Sequence, residues 1–278
     1  MRFFMRRGVP LKYALAASLL LLPFAASAAV EKCDRLIATG ADDNPPFLWR
    51  DPQNPERLIG ANADLLKRIA ESLELKLELL HTGDASKALE EVTSGRVDVL
   101  ADATLSPKKL TQLDFIHPSV TALQTYAWVR NDPGFLYSSR QDLVGQAGRY
   151  VAKISFGKEF DAYKKNLDLS AAQSLSDAMQ RLLAGQADYV LHERYSAVAQ
   201  LARLDLLDKV QRLEPPVVSQ GMYLAVSHDS ACNAPWLRGQ LAVKMTELHE
   251  AGVPQQLLTE NLERWQQQQS ASVRQTQR

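Results

Sequence analysis

Two stretches of this chain, ninety positions apart, carry nearly the same text. Ala88 to Leu100 reads ALEEVTSGRVDVL and Ala178 to Val190 reads AMQRLLAGQADYV. Each copy is a helical segment, a stop glycine (Gly95 or Gly185), a short loop with an aspartate (Asp98 or Asp188) and an apolar run. A helix that ends on a C′ glycine and feeds a buried strand is one unit of an α/β layer. Two such units so far apart predict two α/β lobes of similar build. A cleft between lobes is where small ligands bind.

The 278 residues suffice for one large or two modest domains. Hydrophobic residues make up 46% and charged residues 23%, which excludes a disordered or collagen-like chain. The N-terminus reads as a leader. Arg2, Arg6, Arg7 and Lys12 are basic, Leu11 to Phe24 is apolar apart from Lys12, Tyr13 and Ser18, and Ala26-Ser27-Ala28 is a small-x-small cleavage site. That is a secretory signal peptide over residues 1–28, and it predicts a periplasmic protein. An uncleaved anchor is the alternative, but the apolar run is short for a span. Val30-Glu31-Lys32 before Cys33 lacks the small residues of a lipoprotein site. Without the four leader cations, 28 basic side chains face 32 acidic ones, a net charge of −4. A negative chain with no basic stripe argues against nucleic acid as a partner.

Cys33 and Cys232 are the only cysteines. In an exported protein a pair most often forms one disulfide, the alternative being two separate buried thiols. His81, His117, His192, His228 and His249 show no ligand spacing, so neither metal nor other cofactor is expected.

Strands are expected at Arg35 to Thr39, Lys76 to Leu80, Thr125 to Val129, Tyr150 to Ile154 and Val217 to Val226. Helical spacing runs over Ala63 to Leu73 and Trp236 to His249, and a last short helix ends near Trp265. Gln266 to Arg278 has no apolar anchor and is expected to fray. Strand–helix alternation points to mainly parallel sheets with helices on both faces. Two extended connections, out and back, would make a hinge.

In this order, several motifs resemble the extracellular solute-binding proteins of family 3. They are Pro45-Pro46-Phe47; Leu58-Ile59-Gly60-Ala61-Asn62-Ala63-Asp64-Leu65 in place of G-F-D-x-D-L; Gly95-Arg96-Val97-Asp98; Ser106-Pro107-Lys108-Lys109 before Leu113-Asp114-Phe115; and Gly185-Gln186-Ala187-Asp188. The resemblance covers Arg35 to Trp265. It implies an α/β, two-lobed periplasmic binding protein of type II with two hinge crossings, each lobe a mainly parallel sheet with flanking helices. Lobe 1 would take residues 29–122 and 221–265, lobe 2 residues 123–220, and 266–278 would be a disordered tail. Such a monomer would close on a small-molecule ligand and hand it to an ABC permease or a membrane sensor.

Strand C-termini and helix N-termini point at the crevice in open α/β sheets. This selects Asp42, Asp43, Asn44, Phe47 and Trp49; Asp102 and Thr104 with Lys109; Ser155, Phe156, Gly157 and Lys158; and His192 with Glu193. By the resemblance, Lys109 stands where the family has an arginine that forks onto a ligand carboxylate. A lysine cannot make that bidentate pair. Asp102 stands where the family has a small residue, Thr104 keeps a hydroxyl, Glu193 takes the place of the acid that meets an amino group, and Asn44 replaces an aromatic. The acid-rich cleft points to an amine-bearing or cationic solute, beside a generic amino acid. Each residue has a plainer alternative. Asp42 and Asp43 are solvated or cap a helix; Lys109 pairs with Asp102; Glu193 caps or pairs with Arg194; Phe47 is core; His192 is a surface residue. Asp98 and Asp188 are read as fixing the turns after their glycines.

Three functions fit: a binding protein with no chemistry, a periplasmic lyase similar to cyclohexadienyl dehydratase with Glu193 or Asp102 as its acid, and a sensory clamp. No Ser–His–acid order, metal set or phosphate loop supports an enzyme.

Overall fold

The computed structural model describes residues 33–152 and 154–276, so the expected signal peptide lies outside the described residues. The strands are β1 (Arg35–Thr39), β2 (Asp43–Asn44), β3 (Leu48–Arg50), β4 (Leu58–Ile59), β5 (Lys76–Leu79), β6 (Val99–Thr104), β7 (Leu113–Arg130), β8 (Ala147–Val151), β9 (Asp168–Ala172), β10 (Tyr189–Glu193), β11 (Val210–Arg212) and β12 (Val218–Ser227). The helices are α1 (Ala61–Ser72), α2 (Ala85–Thr93), α3 (Pro107–Leu110), α4 (Lys158–Tyr163), α5 (Leu175–Leu183), α6 (Arg194–Arg203), α7 (Pro235–Glu250) and α8 (Val253–Thr276).

The two copies of the repeat become α2–β6 and α5–β10. Asp84 caps α2 by accepting from the N–H groups of Ser86 and Lys87, and Ser174 caps α5 by accepting from that of Asp177. Both helices stop at a glycine with positive φ, 74° at Gly95 and 71° at Gly185, a conformation that spares glycine the Cβ clash. The aspartates that follow do not fix their own turns, as the sequence suggests. Asp98 Oδ2 accepts from the Ile37 N–H at 2.8 Å and Asp188 Oδ2 from the Ala147 N–H at 2.8 Å, each on the neighbouring parallel strand. The same device starts the strand pairing in each half of the molecule.

Those halves share one sheet, in the order β5-β1-β6-β12-β7-β10-β8-β9, with β11 also on β7. The flanks β5-β1-β6 and β9-β8-β10 are parallel and mirror one another. The centre is antiparallel: β7 runs for 18 residues, pairs with β12 from Leu113 to Thr125 and continues beside β10. The sequence suggests two separate sheets and a strand only at Thr125 to Val129. The long crossing strands fuse them, because β7 and β12 satisfy each other's backbone groups on the way.

Apolar cores lie on both faces of each half. One contains Leu36, Val99 and Ala101 with α1, α7 and α8; the opposite one contains Leu100 and Ala103 with α2. In the other half Val190 packs with α5 and α6, whereas Tyr189 and Leu191 pack with Phe156 and Phe160. Cys33 and Cys232 are joined by a disulfide beside the first core. The last helix does not stop near Trp265 but continues to Thr276, which corrects the frayed tail. Its sequence holds no glycine, and no proline after Pro254. Gln268 Oε1 also accepts from the indole N–H of Trp49 at 3.0 Å.

Asp98 is buried, and its second oxygen accepts from Ser230 Oγ at 2.6 Å; Asp188 is half-buried with one such backbone partner. Asp98→Ala is therefore expected to cost about 3 kcal/mol and Asp188→Ala about 1.5 kcal/mol. Urea unfolding checks the order; equal losses would mean that the extra bond contributes nothing.

Candidate functional site

A cavity of about 460 Å³ is lined by the last residues of β6 (Thr104) and β10 (His192, Glu193). Asp43, Asn44 and Phe47 contribute one wall, the crossing strands give Leu123, Thr125 and Gln220, and the segment after β8 gives Val151, Ile154, Ser155 and Phe156. Gln173, Ser174 and Leu175 enter at the start of α5, and Ser196 and Gln200 from α6. Ser196 Oγ donates to Asn44 Oδ1 at 2.8 Å, a bond that spans 152 positions and ties two walls of the cavity.

Glu193 ends β10 and caps α6, with Oε2 accepting from the Ser196 N–H at 2.8 Å. Its Oε1 is buried and has no hydrogen-bond partner. Loss of water pushes this carboxyl up to about 7, against the pull of the Ser196 and Tyr195 N–H groups, the Ser196 hydroxyl and Arg194. His192 is only 5% exposed and lines the cavity, which corrects its assignment to the surface. Burial pushes its imidazole down, so the neutral ring faces the cavity. Trp128 Nε1, on the neighbouring β7, donates to the His192 carbonyl at 3.3 Å.

Asp102 and Lys109 sit behind Thr104, outside the lining. Lys109 Nζ donates to both the carbonyl and the Oγ1 of Thr104, each at 3.0 Å. Asp102 Oδ2 accepts from the Ala41 N–H at 3.0 Å. Burial is the largest influence on both groups: it raises the carboxyl and lowers the ammonium, and each group's charge partly restores the other. They are coupled by charge without a direct ion pair.

The remaining candidates divide. Asp43 lines the cavity, its carboxyl raised by partial burial and by Asp42, with Arg203 pulling the other way. Asp42 lies outside the lining and meets His81 Nε2 at 2.9 Å. Phe47 borders the cavity but is fully buried in the first core, at right angles to the Tyr195 ring, and Trp49 likewise turns into the core against Trp265. Ser155 and Phe156 line it, whereas Gly157 and the exposed Lys158 do not. Sequence reading missed the wall built by Gln173, Ser174, Gln200 and Gln220. Ser174 carried a signal, since Ser-x-x-Asp marks a helix start.

Among the described residues, the lining holds two acids and no lysine or arginine. No group of three or more His, Cys, Asp or Glu is placed to hold a metal among them.

No curated protein matches the sequence. Solved structures do match. A histidine kinase sensor domain with similarity to periplasmic binding proteins is 22% identical, with a TM-score of 0.64 over 81% of this chain and 95% of its own. An amino acid ABC transporter substrate-binding protein of Streptococcus pneumoniae, bound to L-arginine, is 18% identical with a TM-score of 0.62 over 84% and 96%. An ancestral amino-acid-binding protein, a precursor of cyclohexadienyl dehydratase, is 17% identical with a TM-score of 0.60 over 82% and 96%. These likenesses share the two-lobed α/β fold. The family model of bacterial extracellular solute-binding proteins, family 3, matches residues 36–260. Repeat, crossing strands and interlobe cavity agree with that match, and the chain belongs to the bacterial extracellular solute-binding proteins of family 3.

Proposed function

We propose that this protein is a periplasmic clamp that closes on a small amine-bearing solute and delivers it to an ABC importer. The observation that carries the reading is Glu193 Oε1, buried without a partner in a cavity whose described lining has no cationic side chain. A buried carboxylate oxygen left unpaired is costly, and a protonated amine would satisfy it. In this reading one lobe is built from residues up to 122 with 221–265 and the other from 123–220, a division that the separate apolar cores support, although Leu123 and Tyr195 pack on the first of them. Asn44 and Ser196 bond across the cavity wall, Leu123, Val151 and Ile154 supply apolar surface, and Thr104 and Ser155 supply hydroxyls.

A thermal-shift screen of amino acids, amines and small dicarboxylates tests this. A ligand at a hundred times its Kd stabilises by about 2.7 kcal/mol, and only amine-bearing compounds should do so. A shift with dicarboxylates alone would sink the reading. The raised carboxyl of Glu193 also suits a general acid, which favours a lyase as the second reading. Consumption of prephenate by the purified protein would establish it, and intact prephenate leaves the binding protein.

A further inference from the structure

We propose that the solute of this cleft is an organic cation that carries protonated nitrogen and no carboxylate. This rests on the amine-clamp reading above and narrows it.

A carboxylate is held best by a free cation or an uncompensated helix N-terminus, and around this cavity the described ones are offset by acids. Lys109 approaches from behind Thr104 with two of its three N–H bonds committed to that residue, and the Asp102 carboxylate offsets its charge. Three helices begin at the cavity, and each beginning is answered by a carboxylate of this chain. At α4, Asp161 Oδ2 accepts from Ser155 Oγ at 2.6 Å and Oδ1 from the Phe156 N–H at 3.4 Å. At α5, Asp177 accepts from the Gln173 N–H at 3.3 Å. At α6 the carboxylate is Glu193 itself. The positive ends that would hold an anion are thereby neutralised. Asp43 and Glu193 add negative charge within the lining, and Arg203, which acts on Asp43, is exposed and outside it. An added carboxylate would meet these acids, and the lining would answer it only with neutral amide, hydroxyl and backbone donors. The amide groups of Gln173, Gln200 and Gln220 and the apolar surfaces of Leu123, Val151 and Ile154 suit a cation with a short hydrocarbon body.

The test compares pairs that differ only in the carboxylate: cadaverine with lysine, and agmatine with arginine. In calorimetric titrations of the purified protein, the decarboxylated member should bind at least tenfold more tightly in each pair. Asp102→Asn keeps an acceptor for the Ala41 N–H and unmasks Lys109; it should improve lysine by about tenfold and leave cadaverine no better. Lys153→Ala, outside the described residues, should keep the parent preference. Equal or tighter binding of the amino acids overturns this inference alone and leaves the amine clamp standing. A gain of cadaverine preference in Lys153→Ala would also overturn it, by giving Lys153 the carboxylate. If no member of either pair binds, the amine clamp falls and this inference with it.

Discussion

Glu193→Gln weakens the binding of an amine by about a hundredfold and removes its dependence on pH. The magnitude follows from burial. Taking away one partner of a buried ion pair costs about 3 kcal/mol, and each 1.4 kcal/mol is about tenfold in affinity. Glutamine keeps the acceptor that caps α6 at the Ser196 N–H, so the loss reports charge rather than helix integrity. The pH dependence has a definite sign. The empty protein holds the Glu193 proton up to about 7, while the unfolded chain releases it near the ordinary carboxylate value. An ammonium ligand needs the ionised form, so binding below that point expels a proton. Affinity should rise roughly tenfold per pH unit between pH 5 and about 7, then level off. Stability of the empty protein runs the other way. The folded state binds the extra proton, so the contribution of Glu193 is full at low pH and is lost as pH rises through about 7. Titration calorimetry at pH 6 in buffers of different ionisation enthalpy should find about one proton released for the parent and none for Glu193→Gln. Equal release by the two proteins would take Glu193 out of the binding site.

The repeat was legible because it combines two strong local signals, a helical apolar stripe and a stop glycine, with an apolar run that must be buried. Strand ends then located Thr104 and Glu193, since parallel strands deliver their C-terminal residues to the crevice. What local pattern could not carry was the choice between partners distant in sequence. Asp98 and Asp188 look like turn residues until Ile37 and Ala147 are brought alongside. Trp49 looks like a ligand platform until Trp265 and Gln268, more than two hundred positions later, cover it. His192 looks exposed because a histidine next to a glutamate is usually polar surface, and only β7 shows that it is buried. The fused sheet escaped notice for another reason. Residues 116–124 alternate poorly and contain Pro118, so the strand exists through its pairing with β12 rather than through propensity. The same limit applies to Lys109. Its type announced a point charge, but its commitment to Thr104 is a matter of geometry.

Reduction of the Cys33–Cys232 bond is expected to remove about 3–5 kcal/mol of stability without touching the cleft. The bridge joins residues 199 positions apart, so it closes a loop that leaves out only α7 and α8 among the named elements. In the loop-entropy account a closure of that length restricts the unfolded chain by about 5 kcal/mol, and measured losses on removing native bridges run from about 2 to 5. Cys33 immediately precedes β1, and Cys232 lies between β12 and α7. The bond therefore fastens the central strand of the first flank to the segment by which the chain returns from the second half. Both cysteines pack on the core formed by α1, α7 and α8, and neither lines the cavity. Urea unfolding with and without reductant, and of the Cys33→Ser/Cys232→Ser variant, should show the same drop in midpoint. An unchanged midpoint would mean that the first half holds its ends together by packing alone. Amine affinity measured under native conditions should change less than about twofold, because the folded cleft is the same in both forms. Hydrogen exchange gives the finer check. If the bridge acts on the first half, protection falls in β1, β5 and α1 and stays level in β8 and β9, whose core of Tyr189, Leu191 and Phe160 does not include it. A uniform fall across both halves would show that β7 and β12 couple them into one cooperative unit, since those strands carry the hydrogen bonds between the flanks.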